Sequence, residues 1–151
     1  MNRHGYRNLF MLVLITLYVA GTGFIVLYGA GFYRDMIARS AQNVQVRTTF
    51  SYFNNRLKQN DDAGMIEVRT KQHVLVFKQD GYYILVYEEN GYLVEQNSET
   101  NEIMVGAAQK IAQVSNLSFE VDGRFLVINF SDVHGKIYKI AYVLMSEGAL
   151  T

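Results

Sequence analysis

Residues 9–33 read LFMLVLITLYVAGTGFIVLYGAGFY, 25 residues without a charge. At about 1.5 Å per residue, a helix of this length is about 37 Å long. A bilayer hydrocarbon core is about 30 Å thick, so the segment spans it with some tilt. Tyr28, Phe32 and Tyr33 stand at its distal end, where aromatic rings favour the membrane interface. Arg34 and Asp35 close the apolar run. A cleaved secretory signal is the rival reading, with Gly29-Ala30-Gly31 as the small residues before the cut. The apolar run ahead of them, residues 9–28, exceeds the usual signal core of about 7–15 residues. The reading therefore divides the chain into a tail over 1–8, a transmembrane helix over 9–33 and a water-side remainder.

On the N-terminal side, residues 1–8 hold Arg3 and Arg7 and no acid. A tail this short does not fold. The simplest insertion leaves it in the cytoplasm and carries the C-terminal part across. Residues 34–62 hold Arg34, Arg39, Arg47, Arg56 and Lys58 against Asp35, Asp61 and Asp62. Residues 63–151 hold seven cations and eleven acids, a net of −4. A mildly acidic distal part argues against nucleic acid as a partner, because phosphate binding needs a basic face.

Residues 34–60 lack Pro and Gly and read as further helix. Val46, Phe50, Phe53 and Leu57 recur at i, i+4, i+7 and i+11, one face of a helix of period 3.6. The sequence Asn60-Asp61-Asp62-Ala63-Gly64 ends it. From residue 65 the period becomes two. Strands are expected at His73–Gln79, Tyr82–Glu89, Tyr92–Gln96, Leu117–Asp122, Arg124–Ser131 and Lys136–Met145. Asp80-Gly81, Asn90-Gly91 and Asp122-Gly123 punctuate them with the positive φ angles of tight hairpins. The expectation is an antiparallel meander of six or seven strands over residues 65–145, broken by the polar stretch 98–108, with a tail over 146–151. Such a sheet needs a cover. The stripe Val46, Phe50, Phe53 and Leu57 is the cover available, which makes the class α+β: a long N-terminal transmembrane and amphipathic helix packed on an antiparallel sheet.

Chemistry is sparse. With no Cys, disulfides and thiolate metal sites are excluded. His4, His73 and His134 have no metal-ligand spacing. The run Asn97-Ser98-Glu99-Thr100-Asn101-Glu102 is rich in oxygen and could hold a calcium ion, but it lacks the order of a calcium loop, and a solvated loop is the expectation. No phosphate loop, nucleophile elbow or catalytic triad order is visible. Alternating tyrosines such as Tyr82, Tyr87 and Tyr92 read as sheet packing. The expectation is no enzyme activity, no cofactor, no metal and no small-molecule substrate.

A short basic head, an apolar helix, an amphipathic continuation and a C-terminal antiparallel sheet resemble the plan of type IV pilins and pseudopilins. The chain also looks like an uncharacterised domain-of-unknown-function group of single-span proteins. The likeness lies in Arg47-Thr48-Thr49-Phe50-Ser51-Tyr52 through Lys58-Gln59-Asn60-Asp61, in Gly81-Tyr82 and Gly91-Tyr92, and in Tyr142-Val143-Leu144-Met145-Ser146-Glu147-Gly148. The resemblance implies a non-catalytic component of a pilus-, competence- or type II secretion-like apparatus in a bacterial cell membrane, with protein partners. It also marks Gly5-Tyr6 as the possible processing junction. Arg7 and Asn8 depart from the prepilin pattern there, and Phe10 stands where a Glu is usual, so the initiator end is expected to persist. The alternative function is a membrane-tethered, extracytoplasmic binding module for a cell-wall, peptide or protein ligand.

Overall fold

A computed structural model describes residues 3–62, 64–104 and 106–145, with side chains from Tyr6 onward. The tail 146–151 and the first two residues lie outside the described set. The chain divides into two compact units, Met1–Ala41 and Gln42–Thr151. Helix α1, Arg3–Asn60, contributes to both.

In the first unit every described side chain is exposed, including Phe10, Leu14, Leu17, Phe24 and Leu27. The helix is long and apolar enough to cross a membrane. Its two threonines in the apolar stretch do not leave hydroxyls unpaired. Thr16 donates to the Leu12 carbonyl at 2.9 Å and Thr22 to that of Tyr18 at 2.9 Å. Gly5 and Tyr6 sit inside the helix, which starts at Arg3.

Among the described residues the second unit carries eight strands. β1 (Ile66–Arg69), β2 (Val74–Gln79), β3 (Tyr82–Glu89), β4 (Tyr92–Ser98) and β5 (Gln109–Gln113) form one sheet in chain order. β6 (Ser115–Asp122), β7 (Phe125–Ser131) and β8 (Ile137–Val143) form another. All neighbours are antiparallel. At the β3–β4 hairpin Asn90 and Gly91 both take positive φ, 52° and 77°, as the tightest right-twisted turn requires.

The meander is thus two sheets, a correction with a local cause. Only Val114 separates β5 from β6, and its N–H donates to the Gly91 carbonyl at 3.1 Å. Asn116 then takes φ 53°, and the pairing register shifts between Ser115 and Ser118. The chain turns off the edge of the first sheet and starts the second, with β6 within reach of β1 to β4.

The core forms where both sheets meet α1. Phe53 and Leu57 are fully buried, together with Leu75, Phe77, Phe119 and Ile128. The Phe53 ring meets the edge of Phe119 at 6.0 Å. Val46 is partly buried against this core. Phe50 sits at the rim, 37% exposed, with its ring edge-on to Phe130 at 5.6 Å and Tyr138 at 6.2 Å. Thr49, not Phe50, is the fully buried residue of that turn. The buried stripe is rotated from the apolar one because α1 is flanked on two sides rather than laid on one sheet. A second apolar cluster, Val74, Val76, Leu85, Tyr87 and Val94, occupies the opposite face of the larger sheet.

Candidate functional site

The histidines and the oxygen-rich run are placed apart among the described residues. His73 takes φ 53° beyond a 3-10 turn at Thr70–Gln72, and His134 lies in the β7–β8 turn, both exposed. Among the described residues no group of three or more His, Asp or Glu side chains is placed to hold a metal ion. In the oxygen-rich run, Ser98 and Thr100 hydrogen-bond each other at 3.2 Å.

The structure instead brings together polar ties between α1 and both sheets. Toward the larger sheet, Glu95 of β4 is the anchor. Arg56 reaches it through two donors, Nε at 3.0 Å and Nη2 at 2.6 Å, and the Tyr52 hydroxyl donates to it at 2.5 Å. Two parallel donors from one guanidinium fix the carboxylate plane. Burial, then the neighbouring Glu95 carboxylate, push the Tyr52 phenol well above its ordinary range. The Asn60 carbonyl oxygen of the side chain accepts from Gln79 of β2.

Toward the smaller sheet, Asp132 is the anchor. It accepts from the Gln42 amide at 2.5 Å, the Tyr138 hydroxyl at 3.2 Å, and the His134 and Lys136 backbone N–H groups at 2.9 and 3.0 Å. Burial works to raise its pKa. The four donors outweigh that and hold the carboxyl below its ordinary value. Asp61, just past α1, accepts from the Tyr142 hydroxyl at 3.0 Å and the Met145 N–H at 2.9 Å.

A third anchor holds the segment between β4 and β5 over the outer apolar cluster. Gln96 is fully buried. It accepts from the Tyr87 hydroxyl at 3.1 Å and the Met104 N–H at 3.0 Å, and donates to the Glu102 carbonyl at 3.1 Å. Sequence reading singled out Val46, Phe50, Phe53 and Leu57 and missed Tyr52, Arg56, Glu95, Gln96 and Asp132. One signal was present: Glu95 and Gln96 are polar residues directly after Leu93-Val94 inside a strand. Tyr52 and Arg56 are i, i+4 neighbours on the helix.

The exposed surface is the remaining candidate. β8 is an edge strand with Ile137 74% and Val143 49% exposed. Phe125, paired with Val143 across β7–β8, is 51% exposed. An open groove of about 280 Å³ runs between β8 and α1, lined by Phe50, Ser51, Asn54, Leu57, Ile140, Ala141 and Tyr142.

No curated protein and no solved structure matches the chain. The family model described as a domain of unknown function, DUF4860, matches residues 44–133, from the stem half of α1 to the β7–β8 turn. The matched stretch holds the Tyr52–Arg56–Glu95 clamp, the Gln96 anchor and Asp132, and the chain is a member of the DUF4860 family.

Proposed function

We propose that this protein is a single-pass, non-catalytic membrane component of pilin-like plan, which presents its β unit outside the cytoplasm to protein partners of a pilus-, competence- or secretion-like apparatus. The carrying observation is helix α1. Over residues 9–33 it carries no charge on any face and every side chain is exposed, a pattern whose natural solvent is lipid. From Gln42 on, the same helix supplies Phe53 and Leu57 to the core of the β unit. A helix that is anchor in one part and core in another matches the plan of pilins and pseudopilins. The polar ties described around it are the Arg56–Glu95 ion pair and hydrogen bonds, with no nucleophile–base pair among them.

Affinity purification of the intact chain from membranes in mild detergent tests this. The expected result is co-purification of a polytopic membrane protein and an assembly ATPase. A strictly monomeric species with no associated protein, from membranes in which the chain is folded, would overturn it.

A further inference from the structure

We infer that the outer face of the smaller sheet joins two copies of this chain, packed sheet on sheet about a two-fold axis that runs along β7. One premise comes from the anchored reading above: both copies stand in one membrane. The rest follows from β6, β7 and β8.

Alternation along these strands separates two faces. Leu126, Ile128 and Phe130 of β7 and Tyr138, Ile140 and Tyr142 of β8 point to the core. Phe125 and Val127 of β7 take the other side, level with Val143 and Ala141 of β8, and Ile137 lies on the same side. Phe125, Ile137, Ala141 and Val143 are all exposed. The outer cluster of the larger sheet lies under the segment that Gln96 holds. Among the described residues no segment covers the outer face of the smaller sheet in that way.

Charge says what fits this face. Glu120 and Asp122 of β6 pair with Val127 and Phe125, so they stand on the outer face along one margin. Lys139 of β8 pairs with Asn129 and stands along the other margin. All three charges are exposed, and the apolar part of β7 lies between them. A two-fold axis along β7 lays β8 of each copy over β6 of the other. Lys139 then faces the acidic margin of the second copy, twice by symmetry. Glu120 lies two residues further along than Lys139, about 7 Å, within the reach of two long side chains. Phe125 and Val127 cover their own counterparts near the axis. Stacked sheets lie about 10 Å apart with their strands within about 30° of each other, which this axis allows.

The direction of the stem agrees. Gln42 is bonded to Asp132, ahead of β8, and Asp61 to the Met145 N–H beyond it, so the stem runs along β8 in the same sense. An axis along the strands leaves both stems pointing one way, as two anchors in one membrane require. The stems lie on the core side of each sheet, away from the joined faces. Three strands of seven or eight residues span about 14 Å by about 23 Å. Such a face buries less than the about 1,600 Å² of a standard complex. Confinement of both copies to one membrane raises their effective concentration and makes a small interface sufficient.

The chain has no Cys, so single cysteines report cleanly. In membranes carrying the full chain, Val127→Cys should give a homodimer with a short bis-maleimide, since its copies face each other across about 10 Å between the sheets. Asp80→Cys, on the β2–β3 turn of the larger sheet, should not. Adding Lys139→Glu to the Val127→Cys chain sets acid against acid at both margins and should lower cross-linking about fivefold. Adding Glu120→Lys to that variant exchanges the charges across the face and should restore it. Phe125→Ser should lower cross-linking as well, without any change of charge. These positions are exposed, and resistance of the β unit to brief proteolysis reports its fold separately. Equal cross-linking at 127 and 80, no loss with Lys139→Glu, no recovery on the double exchange, or a cross-link from 127 to a different protein would each overturn the pair. Co-purification of assembly proteins is read on the unaltered chain, so failure of the pair and failure of the assembly reading are told apart.

Discussion

Phe53→Ala should destabilise the β unit more than any other change on the stem. The ring is fully buried between the sheets, against Phe119 and Tyr52. Removing such a ring leaves a cavity and costs about 3–5 kcal/mol. That is a large part of the about 5–15 kcal/mol that holds a small domain folded. Phe50, with 37% of its surface already in water, gives up less on truncation, about 2–3 kcal/mol. The measurement is urea unfolding of the full chain in detergent micelles, read by brief proteolysis of the β unit. With a slope of about 2 kcal/mol per molar urea, Phe53→Ala should lower the midpoint by about 2 M, and Phe50→Ala by about 1 M. A larger effect at Phe50 than at Phe53, or a shift below about 0.5 M for Phe53→Ala, would refute the placement of α1 between two sheets.

Three further outcomes follow from the anchors. Tyr52 keeps its proton in the fold while the unfolded chain loses it from the ordinary value of 10.0 upward, so stability falls as pH rises above about 10. Tyr52→Phe should make that alkaline decline shallower and cost about 1 kcal/mol at neutral pH, both read from urea midpoints across the pH range. Asp132 has the opposite sign: its lowered pKa contributes stability above the ordinary 3.8, lost as pH falls below it, so Asp132→Asn should flatten the acid limb of the same curve. Gln96→Leu strands the Met104 N–H and Glu102 carbonyl and should cost about 1–3 kcal/mol, with faster amide hydrogen exchange at Met104; unchanged exchange there would remove Gln96 as the anchor of that segment.

The elements that sequence revealed are those with a strong period or a strong turn. β3 was legible to the residue at both ends, because Asp80-Gly81 and Asn90-Gly91 bracket an eight-residue run of apolar and aromatic side chains. β1 was too short to show a period, and β5, Gln-Lys-Ile-Ala-Gln, is mostly polar because it is an edge. The division into two sheets was hidden because its cause is a positive φ at Asn116, a backbone event just ahead of the expected strand Leu117–Asp122 that no local pattern marks. The rotation of the buried stripe toward Thr49 was hidden for a related reason. A helix gripped from two sides buries polar residues once they are paired, and the partners of Tyr52 and Arg56 lie about forty positions away in the chain, a separation no local pattern shows. The polar anchors were therefore the least legible part, although they tie α1 to both sheets.

Sidedness in the membrane is the most direct test of this reading. Because the chain has no Cys, Asn97→Cys on the β unit and Asn2→Cys in the basic tail can be labelled one at a time in intact cells with a membrane-impermeant maleimide. Asn97 is exposed in the fold and should be labelled from outside, while the cysteine at position 2 should react only after the membrane is opened. Labelling of position 2 but not 97 in intact cells, or recovery of the whole chain in the soluble fraction, would contradict a membrane-anchored protein that presents its β unit outside the cytoplasm.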